Sequence, residues 1–505
     1  MTNHRQIIIR GGRVLDPEAR SAERVDVLVD GNVIIEIGRP GMGGPEDARV
    51  IDAGRRLLHP GFINAHTHGH HGLDKATGEG WALERSLAVL PWINADRSHE
   101  ILKLTATLAA AEMALKGCTA CYDLNLGLPS PSAEGTQAIA EGYEDVGVRA
   151  VIAPMLADRT VFEATPGLMS ALPESLRQQV TGFDKTSAKQ SIAGLRHALD
   201  HWPYDRDRLR LAVAPTIPLH CSEGLLMACG RLAREFDTGL HSHVSESKIQ
   251  ALACLDRHGE SITAHLGALG LLAPNFTAAH GVWLDRDDMM RLADHGCSVA
   301  HCPSSNMLFS NGLADIRALL DAKVTVGVGT DGMRSNDNEN LYEEVRLASL
   351  VSKVQTPAPE KWLTTEEAYF AATEGGAQVL GIDGIGRIAP GFKADIVFLD
   401  LETINWIPLN DPVNQIVHVE DGTSVDAVMA DGRLIVENGE LTSVDVGLLA
   451  REISTARDRM GCLHASDGSV IERVLAAVDA HCSELARRPY HVHRYGASLD
   501  HAPEE

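Results

Sequence analysis

The sequence predicts an α/β protein: a (β/α)8 TIM-like barrel inserted in a small β-sandwich built from both chain ends, plus a C-terminal helical extension. Two observations predict this fold. Between residues 60 and 384, short apolar segments alternate with helical patterns, which is typical of a barrel of parallel strands. At residues 1–59 and 385–445, strand and turn patterns dominate. Neither of these two segments is long enough for an independent core, so we expect them to pair.

The first segment reads as short strands joined by turns. Asp30-Gly31 predicts a hairpin turn, and a second turn is expected at Gly11-Gly12. The strand candidates around these turns are Ile7 to Arg10, Arg13 to Leu15, Asp26 to Val29 and Val33 to Ile37.

Eight strand candidates occupy the middle of the chain, each separated from the next by a helical pattern. They are Phe62 to His66, Cys118 to Asp123, Arg149 to Pro154, Leu209 to Pro215, Gly239 to His243, Phe276 to His280, Ser298 to Cys302 and Val324 to Asp331. The catalytic groups of such barrels lie at the C-terminal ends of the strands. Beyond residue 445, apolar residues return at helical spacing, which predicts a helical extension over 446–505.

Composition excludes several classes of function. The formal net charge of −24 argues against nucleic acid and anionic membranes as partners. The N-terminus lacks the pattern of a signal peptide, and no apolar run is long enough for a membrane span. Nine Cys residues in apolar contexts fit reduced thiols. We therefore expect a cytoplasmic protein.

The predicted strand ends carry residues suited to a metal centre. His66 and His68 lie two apart on one strand, so both can face one ion. His243 ends the fifth strand and offers a third imidazole, and Asp331 ends the eighth strand with a carboxylate. Three imidazoles and one carboxylate leave a coordination position for water, whose pKa the metal lowers. Taken singly, each of these residues is as readily explained as a core histidine or a turn aspartate.

Three residues near this centre can take part in the reaction. Asp331 can take a proton from the water, and Glu246, three residues after His243, can deliver one to the substrate. His280, at the end of the sixth strand, can orient the water or the developing tetrahedral centre.

The motifs together resemble the amidohydrolase superfamily over about residues 5 to 445. They are similar to its mononuclear branch, which includes S-adenosylhomocysteine, guanine and cytosine deaminases and the s-triazine hydrolases. The motifs that carry the resemblance are Pro60 to His68, His241 to Glu246, His280-Gly281, Cys302 to Leu308, Gly329 to Gly332 with Ser335-Asn336, and Gly386 to Asp395.

The resemblance implies a role for each matching residue. His66, His68, His243 and Asp331 would be the metal ligands, Glu246 the proton shuttle and His280 the orienting base. The dinuclear branch has a carboxylated Lys at the end of the fourth strand, where this chain has none. The expected cofactor is therefore one divalent metal ion per subunit, Zn2+ in the first place, with Fe2+, Co2+ or Mn2+ as alternatives.

The segment after His68 departs from the adenosylhomocysteine-type enzymes, because Gly69 to Lys75 lacks their usual Arg-Gly and acidic pair. This difference leaves the substrate open. The candidate substrate contacts, chosen by position in the sequence, are His70, His71, Trp92, Asn125, Met307 and Arg334. The extension 446–505 has no counterpart in the resemblance.

The sequence thus predicts a metal-dependent hydrolase that cleaves a C–N bond in a small-molecule substrate. An aminohydrolase of an amino-substituted N-heterocycle is the first reading. An amide, urea or carbamate hydrolase of the same superfamily is the alternative, and a non-catalytic scaffold of the same fold is a remote one. Fold analogy leads us to expect a homo-oligomer, a dimer or higher.

Overall fold

The structure is a computed structural model that describes residues 6–93, 97–127, 131–181, 187–464 and 468–495. Both chain ends contribute to one nine-stranded sheet, in the order β18-β17-β16-β15-β5-β1-β2-β3, with β4 paired to β1. Its strands are β1 Gln6–Asp16, β2 Ser21–Asp30, β3 Val33–Gly38, β4 Arg49–Asp52, β5 Arg56–Pro60, β15 Ile396–Asp400, β16 Val425–Ala430, β17 Arg433–Glu437 and β18 Glu440–Leu441.

The two chain ends meet where β5 runs antiparallel to β15, with Pro60 opposite Ile396 and Arg56 opposite Asp400. Apolar side chains of both ends pack into one core, including Ile9, Val27 and Phe398. The expected β-sandwich built from both ends is therefore confirmed. The domain boundaries at 1–59, 385–445, 60–384 and 446–505 stay a prediction.

The turn expected at Gly11-Gly12 is wrong. β1 continues from Gln6 to Asp16, and its pairing with β2 shifts register between Ile9 and Gly12. Gly11 has a φ of 67°, which glycine adopts without strain. The glycine pair therefore forms a β-bulge within one strand, a common role for glycine at a strand irregularity.

The barrel strands lie where the sequence predicts them, except that the fourth is split into β9 and β10. They are β6 Phe62–Thr67, β7 Cys118–Asn125, β8 Arg149–Leu156, β9 Leu209–Leu211, β10 Ala214–Pro215, β11 Leu240–Val244, β12 Phe276–His280, β13 Ser298–His301 and β14 Thr325–Val328. They pair in parallel as two curved sheets, β6 to β10 and β11 to β14. Single bridges, Val213 to Leu240 and Thr67 to Asp331, connect the two sheets.

Helices surround the barrel strands and form the C-terminal extension. They are α1 Leu83–Ile93, α2 His99–Leu115, α3 Ala133–Val146, α4 Val161–Ala164, α5 Leu168–Ala171, α6 Glu174–Thr181, α7 Ala188–Asp200, α8 Glu223–Glu235, α9 Lys248–His258, α10 Ile262–Ala268, α11 Arg286–Asp294, α12 Pro303–Leu308, α13 Ile316–Asp321, α14 Leu341–Gln355, α15 Thr365–Ala371, α16 Glu374–Leu380, α17 Pro412–His418, α18 Val446–His464 and α19 Gly468–Ala486. Among the described residues, no helix is both long and apolar enough to cross a membrane.

The ends of several helices follow from their sequences. The Ser98, Ser222 and Ser247 side chains accept hydrogen bonds from backbone N–H groups in the first turns of α2, α8 and α9. Gly147 and Gly259 end α3 and α9 in the left-handed conformation. These caps fix the start of α2, the start of α8, both ends of α9 and the end of α3.

Candidate active site

The predicted metal-binding residues meet at the C-terminal ends of the barrel strands. His66 and His68 lie at the end of β6, His243 in β11 and His280 at the end of β12, while Asp331 follows β14. All five side chains are buried. His280 and Asp331 have positive φ angles, 67° and 60°, which are uncommon outside glycine. Such strained backbone is concentrated at functional sites, where the surrounding structure holds it.

The ligand atoms of these residues converge on one point. His68 Nε2 lies 3.1 Å from His243 Nε2 and 3.3 Å from Asp331 Oδ1. His66 Nε2 lies 3.8 Å from the same carboxylate oxygen. His66, His243 and His280 also offer nitrogen atoms within 4.8 Å of one another. These distances allow the imidazoles and the carboxylate to surround one small cation.

Hydrogen bonds on the far side of two rings fix their tautomers. His68 Nδ1 donates to the carbonyl of Leu124 at 2.5 Å, and His243 Nδ1 donates to the carbonyl of Thr216 at 2.5 Å. Burial lowers the pKa of both histidines, so the rings are neutral and each Nε2 carries a lone pair. Two lone pairs facing each other repel unless a cation lies against both. The ring nitrogens therefore fit a metal ion, with backbone carbonyls in the usual orienting role.

His66 and Asp331 extend this fit. Neither ring nitrogen of His66 has a hydrogen-bond partner among the described residues, although the ring is fully buried. Asp331 Oδ2 accepts from Ser305 Oγ at 2.5 Å, and Oδ1 accepts from the Gly332 N–H at 2.7 Å. A buried nitrogen without a partner costs free energy that a bound metal would offset.

Glu246 and His280 lie beside this centre. Glu246 Oε1 is 3.7 Å from His280 Nε2 and accepts a hydrogen bond from Asn311 Nδ2 at 3.1 Å. His280 Nδ1 donates to Asn306 Oδ1 at 3.0 Å, which turns Nε2 towards the centre. Burial, with the nearby charges of Asp331 and Glu84, raises the pKa of Glu246 well above its usual value. A neutral carboxyl at this place can donate a proton.

A cavity of about 430 Å³ opens onto these residues. His68, His243, Glu246 and Asp331 form its floor. One wall is apolar and comes from α1, with Leu83, Leu87 and Leu90, from α4, with Phe162, and from Phe309, which directly follows α12. A concave apolar pocket with a few convergent polar groups is the usual form of a small-molecule site.

Comparison with known proteins agrees with this geometry. The sequence profile of the Amidohydrolase family matches residues 57–435. The chain belongs to the amidohydrolase family. It is 30% identical over 87% of its length to a protein named 5'-deoxyadenosine deaminase from Methanobrevibacter smithii, and covers 94% of that protein. It is 32% identical over 85% of its length to a 5-methylthioadenosine/S-adenosylhomocysteine deaminase from Nitratidesulfovibrio vulgaris, and covers 92% of that protein.

Two solved structures resemble this amidohydrolase across the whole fold. One is an adenosine deaminase from Xanthomonas campestris with bound zinc, with a TM-score of 0.80, 26% identity, and coverage of 90% of this chain and 98% of that one. The other is an atrazine chlorohydrolase from Arthrobacter aurescens complexed with zinc, with a TM-score of 0.80, 26% identity, and coverage of 89% and 100%. The chain is thus a metal-dependent hydrolase of carbon–nitrogen bonds, of the deaminase type, that acts on a small molecule.

The six candidate substrate contacts of the amidohydrolase divide into two groups. His70, His71 and Arg334 line the cavity. Trp92, Asn125 and Met307 are not among its lining residues, although their neighbours Pro91, Leu126 and Phe309 are. Trp92 packs into the apolar cluster behind α1, Asn125 is buried in β7, and Met307 is exposed on the outer side of α12. Three of the six candidates therefore line the cavity, and all six stay predictions as substrate contacts.

Several residues of the amidohydrolase site have no role that the sequence predicts. Ser305, Asn306 and Asn311 hold Asp331, His280 and Glu246 by hydrogen bonds. Two of them belong to the motif Cys302 to Leu308, so that motif carried the signal. Four residues on the cavity wall, from the loops after β8 and β10, gave no such signal: Asp158, Arg159, Thr160 and His220.

Proposed function

We propose that the protein is a zinc-dependent aminohydrolase that releases ammonia from an amino-substituted N-heterocycle, with one zinc ion per subunit. The observation that carries this proposal is the convergence of His66, His68, His243 and Asp331 beside Glu246, where His68, His243, Glu246 and Asp331 line the cavity. These four residues are the proposed ligands. Zinc accepts this set of three nitrogens and one oxygen, and two structural neighbours contain zinc.

When bound, the zinc ion would act as a Lewis acid that lowers the pKa of a water molecule. Asp331 can accept a proton from the attacking water. Glu246, whose carboxyl is neutral because it is buried, can give its proton to a ring nitrogen of the substrate. His280 Nε2 has no hydrogen-bond partner among the described residues and can orient the water. Protonation of the ring nitrogen makes the adjacent ring carbon more electrophilic. The proton that Asp331 takes from the water can pass to the exocyclic amine, which then leaves as ammonia when the C–N bond breaks.

The names of the curated relatives support an aminopurine nucleoside as the first substrate to test. The cavity volume of about 430 Å³ lies within the range of pockets that bind small organic ligands. The cytoplasmic location and the homo-oligomeric state, dimer or higher, stay predictions. Light scattering of the purified protein measures the second of these.

The decisive experiment measures ammonia release by the zinc-loaded protein. The panel contains adenine nucleosides, aminopyrimidines and amino-triazines, run beside amides, ureas and carbamates, with the mass of every product recorded. We expect ammonia and an oxo-substituted ring from at least one heterocycle, loss of this activity after chelation, and its return with zinc. An amine or an acid from the second group, with no ammonia from the first, would reassign the protein to amide, urea or carbamate hydrolysis.

A further inference from the structure

One wall of the cavity carries three nitrogen-rich side chains, His70, His71 and Arg334, which we call the cationic corner. The two histidines lie in the 3-10 helix that follows β6, and Arg334 lies in the loop after β14. Their exposed fractions are 2%, 6% and 3%. All three line the cavity, so they are shielded from solvent and still accessible to a ligand.

The polar atoms of the cationic corner have few partners within the protein. Among the described residues, both ring nitrogens of His70, Nδ1 of His71, and Nε and Nη1 of Arg334 make no hydrogen bond. Most buried polar atoms in folded proteins are hydrogen-bonded, and a buried charge without a partner is especially unfavourable. The protein alone therefore leaves the corner incomplete.

Arg149 is a second buried arginine, and its ion-pair partners can be compared with the surroundings of Arg334. It is also 3% exposed. Its Nη2 lies 3.1 Å from Asp431 Oδ1 and 3.6 Å from Asp395 Oδ1. Arg149 is thus neutralised by two carboxylates. Arg334 is equally buried but has no such pair of carboxylates among the residues that the structure describes.

The carboxylates nearest to Arg334 are already engaged. Asp74 is paired with Arg97 Nη2 at 2.6 Å, so this part of the wall carries one positive charge more than it carries negative charges. Asp331 accepts from Ser305 and Gly332 and lies against His68. A ligand that brings its own negative charge would supply the missing partner.

Close packing holds the corner beside the metal centre. The ring centroid of His71 is 5.2 Å from that of His68. A Cβ atom on Gly332 would lie 2.2 Å from His71 Nδ1, so only glycine allows this approach of the two loops. The corner is therefore near the place where the reacting carbon must lie, on a side of the cavity other than its apolar wall.

We propose that the cationic corner binds an anionic oxygen group of the substrate, held by the guanidinium of Arg334 with hydrogen bonds from His70 and His71. A planar guanidinium matches a carboxylate or a similar pair of oxygens. The group is attached to the heterocycle close to the carbon that loses nitrogen. This inference rests on the proposed function and narrows it: the preferred substrate is an acidic N-heterocycle, and neutral adenine nucleosides are poorer substrates.

Binding of non-reactive ligands to the zinc-loaded protein tests the proposal by calorimetry. Two pairs of probes differ in charge: orotate against uracil for a carboxylate, and urate against hypoxanthine for ionised ring atoms. We expect the anionic member of at least one pair to bind about tenfold or more tightly than its neutral partner, because a hydrogen bond to a charge is strong. The pair that shows the difference identifies the source of the charge.

Arg334→Met is expected to abolish this preference, so that the anionic probe binds no more tightly than its neutral partner. Arg159→Met is the matched control, because Arg159 lines the same cavity but donates to the carbonyl of Cys221. Arg334→Lys keeps a cation and is expected to keep part of the preference. The melting temperature of Arg334→Met without ligand should be unchanged or raised, whereas Arg149→Met should lower it.

The proposal is overturned if neither pair differs in the wild-type protein, if the preference survives Arg334→Met, or if Arg159→Met removes it equally. If the anionic group binds directly to zinc, the preference would survive Arg334→Met. If Arg334→Met loses all binding, a lack of preference in Arg334→Lys also overturns the proposal. If the preference depends on Arg334 but no heterocycle releases ammonia, the anion site is retained and the proposed function is rejected. If a heterocycle releases ammonia but no preference depends on Arg334, the proposed function is retained and the anion site is rejected.

Discussion

Two pairs of histidines lie side by side in the cavity and differ in what holds them. In the first pair, His68 and His243, Nδ1 donates to a backbone carbonyl and Nε2 faces the centre. In the second pair, His70 and His71, Nδ1 has no partner among the described residues. The first pair is oriented before anything binds, as metal ligands usually are. For the second pair, a bound ligand would supply the hydrogen-bond partners.

The same contrast extends to the charged neighbours. Asp331 is held through both oxygens, whereas the Arg334 guanidinium has Nε and Nη1 unpartnered. We call the proposed metal ligands His66, His68, His243 and Asp331, with Glu246 beside them, the held side. We call His70, His71 and Arg334 the open side. Substitutions on the held side should reduce metal content or the rate of the chemical step. Substitutions on the open side should change which substrate is chosen.

Asp331→Asn should have the largest effect. Asn keeps the shape and can still accept from Gly332 and donate to Ser305, so we expect an unchanged melting temperature. It loses the charge that binds the metal and the base that accepts a proton, so the turnover number should fall by about 10³-fold or more. Ammonia release and metal content by mass spectrometry measure this. Asp123→Asn is the control, because Asp123 is buried outside the cavity and accepts from the Gly69 N–H. Wild-type turnover in Asp331→Asn would refute the assignment.

Glu246→Gln should reduce the turnover number by about 10²-fold or more while metal content stays near that of the wild type. The amide oxygen can still accept from Asn311, but the group has no acidic proton to deliver. Steady-state rates and metal analysis of the same sample separate the two effects. Glu344→Gln is a matched control, because Glu344 is equally buried and accepts from the Ser304 N–H. Loss of metal in proportion to loss of rate would instead make Glu246 a ligand.

The held side was largely predictable from the sequence, and the open side was not. His66, His68, His243 and Asp331 come together because each lies at a strand end, and parallel strands bring their ends to one edge. The wall depends on loops and on α1, where a shift of one residue changes the direction of a side chain. For this reason the candidate Asn125 lies in β7 and its neighbour Leu126 lines the cavity.

The fold shows the same division. All eight barrel strands were predicted because their short apolar runs stand out between amphipathic helices. The turn expected at Gly11-Gly12 was wrong, because glycine pairs serve turns and bulges alike, and only the partner strand β2 decides between them. β4 was not among the predicted strands. β5 pairs with β1 and also with β15, which lies more than 330 residues later in the chain.

Asn306→Ala should have an intermediate effect, because Asn306 acts through His280 as a positioning residue. Without the acceptor at 3.0 Å, the His280 ring is free to turn. We expect the turnover number to fall by about tenfold or more, with KM and metal content little changed, as is typical of residues that orient a ligand or a base. Asn306→Asp keeps an acceptor oxygen and should restore most of the rate. A purely structural role would instead lower the melting temperature of Asn306→Ala and leave the rate of the folded protein unchanged.

Val478→Ala should have the smallest effect on catalysis and tests whether the C-terminal extension supports the apolar wall. Val478 is fully buried in α19, within the apolar cluster that contains Ala88 and Val89 of α1. α1 also carries Leu83, Leu87 and Leu90 on its cavity side. Removing two methyl groups should lower the free energy of unfolding by roughly 2 kcal/mol and loosen α1.

The expected effect of Val478→Ala on KM and on the turnover number follows from the position of α1 in the cavity wall. Because the apolar wall lines the cavity and none of its residues is a proposed metal ligand, Val478→Ala should raise KM by a few-fold, roughly the loss of one weak apolar contact, and leave the turnover number unchanged. Val446→Ala is the matched control, since Val446 lies on α18 of the same extension and is exposed. An unchanged KM together with the expected loss of stability would mean that the wall keeps its shape without α19. A fall in the turnover number would mean that the extension reaches the held side, by way of the hydrogen bond from Ser247 to Glu84 of α1 beside Glu246.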